Sequence, residues 1–536
     1  MLNRILKLLF LCQLFSAESY AYQHFIQESD TSKIDSVNSL KRDSIKAELL
    51  EYQWKNLSFD SNLLSILEVA KIKSPKFKDK KIDINDAENF IESVLKFCED
   101  HGYPFANLYF DRVSIRDKNV EAQLKLKLNT YIVVDSIRIM SKGNIINEGF
   151  IESYIGIKPG DEYNETSIRA IDDKINNLGF IRTRASTALY FVNDKAEIVI
   201  YPDKINANRF DGILGIQPNT ITNKTSLVGQ LNLSLINTLK RAERFNLDFR
   251  AQPNSTRDLK IYANYPYIFN LPFGVDATLN FRRQDSSFSI FSPELGISYL
   301  FNGINSLRVL YKIENSTLLS TSRFENALTL PNILDVNKQY YGLNLNLDKT
   351  NYRLNPSKGY RLNTQVLFGN REIRKNSVFT DSLYDDILLR TSQIVLNIRS
   401  QFFIPIYKKN ILSIGLQSGI IESEELLFNE LFRIGGINDL RGFDEESIFN
   451  SKNIIINTEY RFLFDKNSFI RAFYDQVFYE NKFIRADVLR GSGIGLGIQL
   501  ETNAGLLQLN YALGRLEGSS YSFQNGKIHF GIINYF

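Results

Sequence analysis

From about residue 207 to the end of the chain, apolar and polar side chains alternate one for one. In "LVGQLNLSLIN", Leu227, Leu231, Leu233 and Leu235 share one face, with Gln230, Asn232 and Ser234 on the other. "YYGLNLNLD" sets Tyr341, Leu343, Leu345 and Leu347 against Asn344, Asn346 and Asp348, and "GLLQLNYALG" repeats the pattern near the C-terminus. A period of two is the signature of β-strands with one apolar and one polar face. About sixteen such segments fit into this region, at roughly 20 residues per strand plus connection, and a membrane-crossing strand needs about 9–11 residues. A soluble sandwich or propeller would also alternate, with its apolar face buried. The steady alternation without propeller repeats, and the aromatic final strand "HFGIINYF", favour a barrel whose apolar face meets lipid.

The N-terminus points the same way. Arg4 and Lys7, the apolar run "LLFLCQLF" and the small residues of "SYA" form a secretory signal over residues 1–21. The apolar run is too short for a spanning helix, which needs about 20 residues. Leu11 before Cys12 argues against a lipoprotein site. Cleavage removes Cys12 and leaves Cys98, so no internal disulfide can form. Residues 22–50 are a polar tether, with 34–52 readable as a weakly amphipathic helix or as a solvated linker.

Between about 51 and 206 the period is helical and the pattern occurs twice. "NDAENFIESVLKFCEDHGY" stops at Gly102-Tyr103, and "SIRAIDDKINNLGF" stops at Gly179-Phe180, 77 residues later. Glycine after a helix is the expected left-handed stop. Two alternating strands follow each helix: "PFANLYFDRVSI" with "NVEAQLKLKL", then "RASTALYFV" with "AEIVIY"; "YIVVDSIRI" adds a strand at the start of the second copy. These are two small α+β modules, 51–129 and 130–206, ahead of a barrel at 207–536. Cys98 falls on the apolar stripe Ala87, Phe90/Ile91, Val94/Leu95 and reads as a small core residue.

Composition narrows the chemistry. A net charge of +4 over 536 residues is too balanced for a nucleic-acid binder. Only His24, His101 and His529 are present, and no metal-ligand cluster is visible. "RGSGIGLG" places glycines at 491, 493, 495 and 497, but their strict spacing of two is not that of a phosphate loop. A strand with glycines on one face fits better. Nothing here points to an enzyme, a cofactor or a metal.

Four stretches carry a family resemblance. "GGINDLRGF" (435–443) resembles a signature in the sixth extracellular loop of BamA/TamA-type outer-membrane assembly proteins. "DKTNYRLNPSKGYRL" (348–362) resembles their mid-barrel stretch, through Asp348, Pro356 and Gly359. "AFYDQV" (472–477) resembles a strand motif in which Gly is usual where Val477 stands, and "GSGIGLGIQLETNAGLLQLNYALG" (491–514) resembles the penultimate hairpin. With all four in the family's order, the chain is identified as a member of that superfamily, closest in pattern to its TamA-like branch. The resemblance implies α+β periplasmic POTRA modules followed by a 16-stranded antiparallel transmembrane β-barrel. It further implies that the sixth loop folds back into the lumen as a latch. Arg441 would then reach Asp475 and Glu459, Gly435, Gly436 and Gly442 would permit the tight backbone path, and Phe443 would wedge against the wall. The competing reading of Arg441 is a solvated surface arginine, which Gly435-Gly436 and the matched Asp475 weigh against, and the acidic run Glu422–Glu430 reads as loop solvation. Gly531 and Phe536 resemble the C-terminal barrel signal, with Asn534 where an aromatic is usual.

The function this implies is assembly or insertion of barrel proteins in a Gram-negative-type outer membrane. Unfolded clients would bind the modules and exit through a seam between the first and last strands. Outer-membrane lipids, lipopolysaccharide and accessory periplasmic or lipoprotein subunits are the implied partners. The alternative is a two-partner-secretion transporter moving one polypeptide through the lumen, since two modules and one barrel is the usual architecture there. A passive porin has no reason to carry such modules.

Overall fold

The computed structural model describes residues 52–74, 79–218, 225–251, 256–302, 305–324, 327–352, 355–483, 485–502 and 505–535. The expected signal segment, the tether and Phe536 lie outside them. The chain forms two compact units. One runs to Ser141 and includes Ile157–Lys174 and Thr183–Pro202; the other comprises Lys142–Gly156, Ile175–Arg182 and Asp203–Phe536.

The N-terminal α+β region holds two small sheets. In the first, β1 (Gln53–Phe59) lies parallel to β4 (Asn119–Lys127), with β2 (Lys80–Lys81) and β3 (Asn107–Arg116) at the edges. In the second, β5 (Val133–Ile139) lies parallel to β7 (Lys195–Lys204), which pairs with β6 (Ile181–Val192). Both parallel pairs carry a register shift at the same place, after Trp54 and after Val134. The sequence repeat therefore starts one strand earlier than its helices suggest. β1 and the helix α1 (Ser61–Ala70) are elements that the alternation alone did not reveal, because β1 buries only Trp54 fully.

Helix α2 (Ile84–Glu99) begins at Asp83, whose carboxylate accepts from Asn85 N. It presents Phe90, Ile91, Val94, Leu95 and Cys98 to a core completed by Leu63 and Leu67 of α1 and by Leu108, Leu124 and Leu126 of the sheet. Asp60 ties that core together: one oxygen accepts from Leu63 N at 3.0 Å, capping α1, and from Leu126 N at 3.3 Å in β4. Burial drives the Cys98 thiol up to about 11.

The end of α2 meets the second stretch through Asp100 and Gly102. Asp100 accepts from Thr166 N and Thr166 Oγ1, both at 2.8 Å, at the start of the short helix α4 (Glu165–Arg169); α3 is Glu148–Ile155. Gly102 has φ +81, a left-handed conformation that favours glycine, and a Cβ there would press on the Tyr131 ring. Glu99 sits beside it. Burial first, then the negative charge of Glu165, raises its carboxyl to about 7.

The second unit contains a sixteen-stranded antiparallel barrel, β8 (Arg209–Pro218) to β25 (Lys527–Tyr535), with β19 (Phe432–Ile434) and β20 (Ile448–Asn450) forming a separate ribbon inside one long loop. Outward positions are apolar and exposed, among them Leu295, Ile297, Val309, Tyr341, Leu343, Leu496 and Phe530. An exposed apolar belt of this extent is stable only against another apolar phase. Inward positions are polar and buried: Arg308 pairs with Asp276 and Glu294, and Lys338 with Glu314. The long loops 319–334, 375–389 and 424–451 lie at one end and short turns at the other. At the short-turn end, α3 belongs to the barrel's unit. Phe150 and Tyr154 pack edge-on against Tyr267, and Ser153 Oγ donates to Asn270 O at 2.6 Å.

The Glu99 carboxyl links the α2–α4 joint to pH. Its folded value of about 7 exceeds the usual carboxylate value, so its stabilising contribution is complete below about 4.5 and is lost as pH rises through 7. Hydrogen exchange of the intact protein, corrected for intrinsic rates, is expected to show α2 and α4 better protected at pH 5.5 than at pH 8. Glu99→Gln should raise the protection at pH 8 and remove most of the difference; an unchanged pH profile would count against this linkage.

Candidate functional site: the loop inside the barrel

The loop 424–451 enters the barrel interior. Its path requires three glycines in left-handed backbone: Gly435 at φ +124, Gly436 at φ +100 and Gly442 at φ +92. The wall makes matching room. A Cβ at Gly493 would collide with the Arg441 carbonyl oxygen, and one at Gly514 with the Gly442 carbonyl oxygen. Of the alternating glycines of β23 (Arg485–Thr502), Gly493 thus makes room for the loop's backbone, while Gly491, Gly495 and Gly497 lie against neighbouring wall residues, a division visible only in three dimensions.

Arg441 stands at the centre. Its Nε donates to Asp475 Oδ2 at 2.8 Å, Nη2 to Asp475 Oδ1 at 2.6 Å and Nη1 to Glu459 Oε2 at 2.6 Å. Its backbone N–H also donates to Asp475 Oδ2 at 3.0 Å, and the guanidinium lies 3.7 Å from the Phe473 ring centre. Asp475, on β22 (Phe469–Asn481), is fully buried. The bidentate fork on one carboxylate with the remaining nitrogen on a second is an arrangement lysine cannot reproduce. The structure thus brings Arg441, Asp475 and Glu459 together, with Arg441 only 7% exposed. Beside them, Leu440 is completely buried, and Phe443 packs on a cluster containing Ile434, Ile448, Ile455 and Val477. Val477, where glycine is usual in the resembling motif, fills space in that cluster.

The network continues to the other end of the barrel. Glu459 Oε1 accepts from Arg461 Nε at 2.5 Å, and Arg461 Nη1 donates to Asn355 Oδ1 at 3.3 Å. Asn355 lies in the 349–358 turn, beside buried Pro356. In that turn Asp348 accepts from Thr350 Oγ1 at 2.6 Å and from Arg361 Nε at 2.9 Å. Gly359 has φ +105, and a Cβ there would collide with the Lys349 carbonyl oxygen. Asp348, Pro356 and Gly359 therefore shape a turn that is linked to Arg441 through Asn355, Arg461 and Glu459. Gly531 lies apart from the site, on β25 opposite Gln508.

Three adjacent loop carboxylates reach three separate strands. Asp444 pairs with Lys527 of β25 at 2.6 Å, Glu445 with Arg250 of β10 (Arg244–Ala251) at 3.0 Å, and Glu446 with Arg282 of β12 (Phe273–Gln284). Asp439 adds Arg399 of β17 (Arg390–Tyr407) at 2.8 Å.

One expectation is corrected. The acidic run before the loop does not simply solvate it, because Glu430 has no exposed side-chain surface. It accepts from Arg371 Nε at 3.0 and 2.9 Å and pairs with Lys338 at 3.2 Å, a second buried ionic anchor. Its neighbours do behave as surface charges: Glu422 meets Lys452 and is largely exposed. No local signal separates Glu430 from them, since its partners come from distant strands.

Arg441→Ala leaves Asp475 buried with its charge uncompensated, which should cost about 3–5 kcal/mol in urea unfolding of the purified protein. Arg441→Ala combined with Asp475→Ala should lose less than the sum of the two single changes, and strict additivity would show that the pair is not coupled.

No curated protein sequence matches the chain. Among solved structures, CdiB from Acinetobacter baumannii superposes with a TM-score of 0.53 at 14% identity, covering 90% of each chain. CdiB from Escherichia coli gives a TM-score of 0.53 at 12% identity and the same coverage. BamA from Haemophilus ducreyi lacking POTRA domains 1–3 gives a TM-score of 0.47 at 14% identity, covering 90% of this chain and all of the other. The CdiB likenesses concern the fold. The Omp85 superfamily domain matches residues 221–536, more than half of the sequence, and takes in the barrel after its first strand, with the internal loop. The chain belongs to the Omp85 superfamily.

Proposed function

We propose that this chain is an outer-membrane factor that assembles and inserts β-barrel proteins, with its α+β modules, 51–129 and 130–206, as POTRA-type domains in the periplasm. The observation that supports this best is the seam. β25 and β8 share two residue pairs, Asn534↔Phe210 and Tyr535↔Arg209, whereas β25 is paired with β24 (Gly505–Leu516) from Lys527 to Ile533. On the seam side, Lys527–Ile533 and Asp211–Pro218 present unmatched strand edges. Unpaired backbone groups are costly in hydrocarbon, so such edges favour pairing with an incoming strand. The module sheets, whose edges include β3, β5 and β6, would receive clients by strand addition.

The Arg441 cluster acts in this reading as a latch that holds the loop against the wall while the seam works. Movement of one polypeptide through the lumen, the secretion alternative, would have to displace the loop together with the buried pairs of Arg441 and Glu430. Outer-membrane proteins in the unfolded state are the clients, with lipids, lipopolysaccharide and accessory lipoproteins as surrounding partners.

Cross-linking across the seam separates the two functions. With cysteines at Phe210 and Asn534, which are register partners, oxidation should stop assembly of many unrelated barrel proteins, and reductant should restore it. Depletion of the protein should lower those barrels together in the outer-membrane proteome. If the locked seam leaves barrel assembly untouched and one large secreted protein accumulates in the periplasm on depletion, the insertase reading is wrong and the chain is a dedicated transporter.

A further inference from the structure

The outward face of the barrel is apolar over most of its height, and charged residues gather toward the long-loop end, among them the pairs Glu372–Arg390 and Glu422–Lys452 and a group on β22–β24. Across β22, β23 and β24, the row Gln476, Ser492, Arg515 and the neighbouring row Phe478, Arg490 are register partners. They alternate with Asp475, Gly493 and Gly514, which face the loop in the lumen, so this second set points away from the interior. Lower on the same strands the outward residues are Leu496 and Leu509, both exposed.

Two arginines of the β22–β24 group stand close together on this outward face. Neither forms an ion pair with a carboxylate among the described residues. Each is held by an aromatic ring instead: Arg490 lies 5.7 Å from the Phe478 ring centre, and Arg515 lies 4.8 Å from that of Tyr521. Ser492, 4% exposed, fixes the floor, with its hydroxyl 2.7 Å from Tyr521 Oη and accepting from Arg515 Nε at 3.1 Å. Both guanidinium groups border the same open pocket, together with Gln476, Ser492, Leu516 and the carboxylate-bearing Glu517. Stacking leaves most guanidinium N–H groups free to donate, and two like charges side by side are stabilised by an anion between them.

The height of the pocket identifies that anion. Arg515 lies about ten residues above the short-turn end of its strand, which at roughly 3.3 Å per residue and a 40° tilt is about 25 Å, the thickness of the apolar band of such barrels. Tyr474, Phe478 and Tyr521 at the same level match the aromatic girdle found at that boundary. Phosphate groups of lipids lie at this depth, and a fork of guanidinium donors is the side-chain arrangement best suited to them.

We propose that Arg490 and Arg515, with Ser492 and Tyr521, form a binding site for a phosphorylated lipid headgroup of the outer leaflet. The site rests on the outer-membrane placement proposed above. A bound lipid there would brace β22–β24, the wall against which the Arg441 loop lies, and stands two strands from the seam.

The test uses the full chain placed in phosphatidylcholine nanodiscs containing a minor fraction of lipid A, read by native mass spectrometry after stepwise delipidation. Wild type should retain lipid A. The double variant Arg490→Gln/Arg515→Gln should retain roughly ten-fold less or lower still, the equivalent of about 1.4 kcal/mol. Heat-modifiable mobility on gels checks that the variant barrel is folded. Equal retention by folded wild type and variant overturns the site. Displacement of lipid A by inorganic phosphate at equal concentration would show a free-anion site and also overturns it. Failure of the folded chain to enter the bilayer at all would overturn the membrane placement and this site with it, and is distinguished because no lipid of any kind is then retained.

Discussion

A positive charge placed inside a protein must be answered where it stands, and Arg441 is answered three ways at once. Asp475 takes its fork and its backbone N–H, Glu459 takes its remaining nitrogen, and Phe473 covers its face. Most other features of the barrel interior follow from that demand. The loop has to bring its backbone within contact distance of the wall, which requires left-handed glycines on the loop and side-chain-free positions on β23 and β24. Glu459 in turn holds Arg461, and Arg461 reaches Asn355, so one ionic arrangement spans the lumen from the loop to the opposite turn. Glu430 with Arg371 and Lys338 repeats the principle at the loop's base.

What could be read in advance depended on how local each signal was. The strand period of the C-terminal region is a property of neighbouring residues, so the sixteen-stranded antiparallel sheet was legible. The α2 stripe through Cys98 was legible for the same reason. Arg441 was singled out by its motif and not by composition, since an arginine in an acidic loop is ordinarily a surface residue. Glu430 was missed because its burial depends on Arg371 and Lys338, far off in sequence, while its acidic neighbours do remain at the surface. β1 was missed because only Trp54 among its residues is fully covered, leaving a weak alternation. The glycines of β23 were legible as a one-faced strand, but the approach of the loop to Gly493 needed the loop in place.

The two sheets of the N-terminal region show a related economy. Each is organised around a parallel pair with a register shift at the equivalent point, and the joint between the two is held by Asp100 and by a glycine in left-handed backbone, Gly102. The excess of carboxylates around Glu99 makes that joint tighter when one of them is protonated.

The three carboxylates Asp444, Glu445 and Glu446 have a geometric consequence. Lys527 lies on the last strand, while Arg250 and Arg282 lie on strands beyond the first, so the loop straps the two sides of the seam together from within. The strap has a fixed length, because the Cα atoms of three consecutive residues span at most about 7 Å. Admitting a single strand widens the gap by about 4.8 Å, and admitting a hairpin widens it by roughly twice that. Opening beyond the reach of those side chains must release Lys527 or the arginines, so the three carboxylates limit how far the two sides of the barrel separate while the loop stays in place.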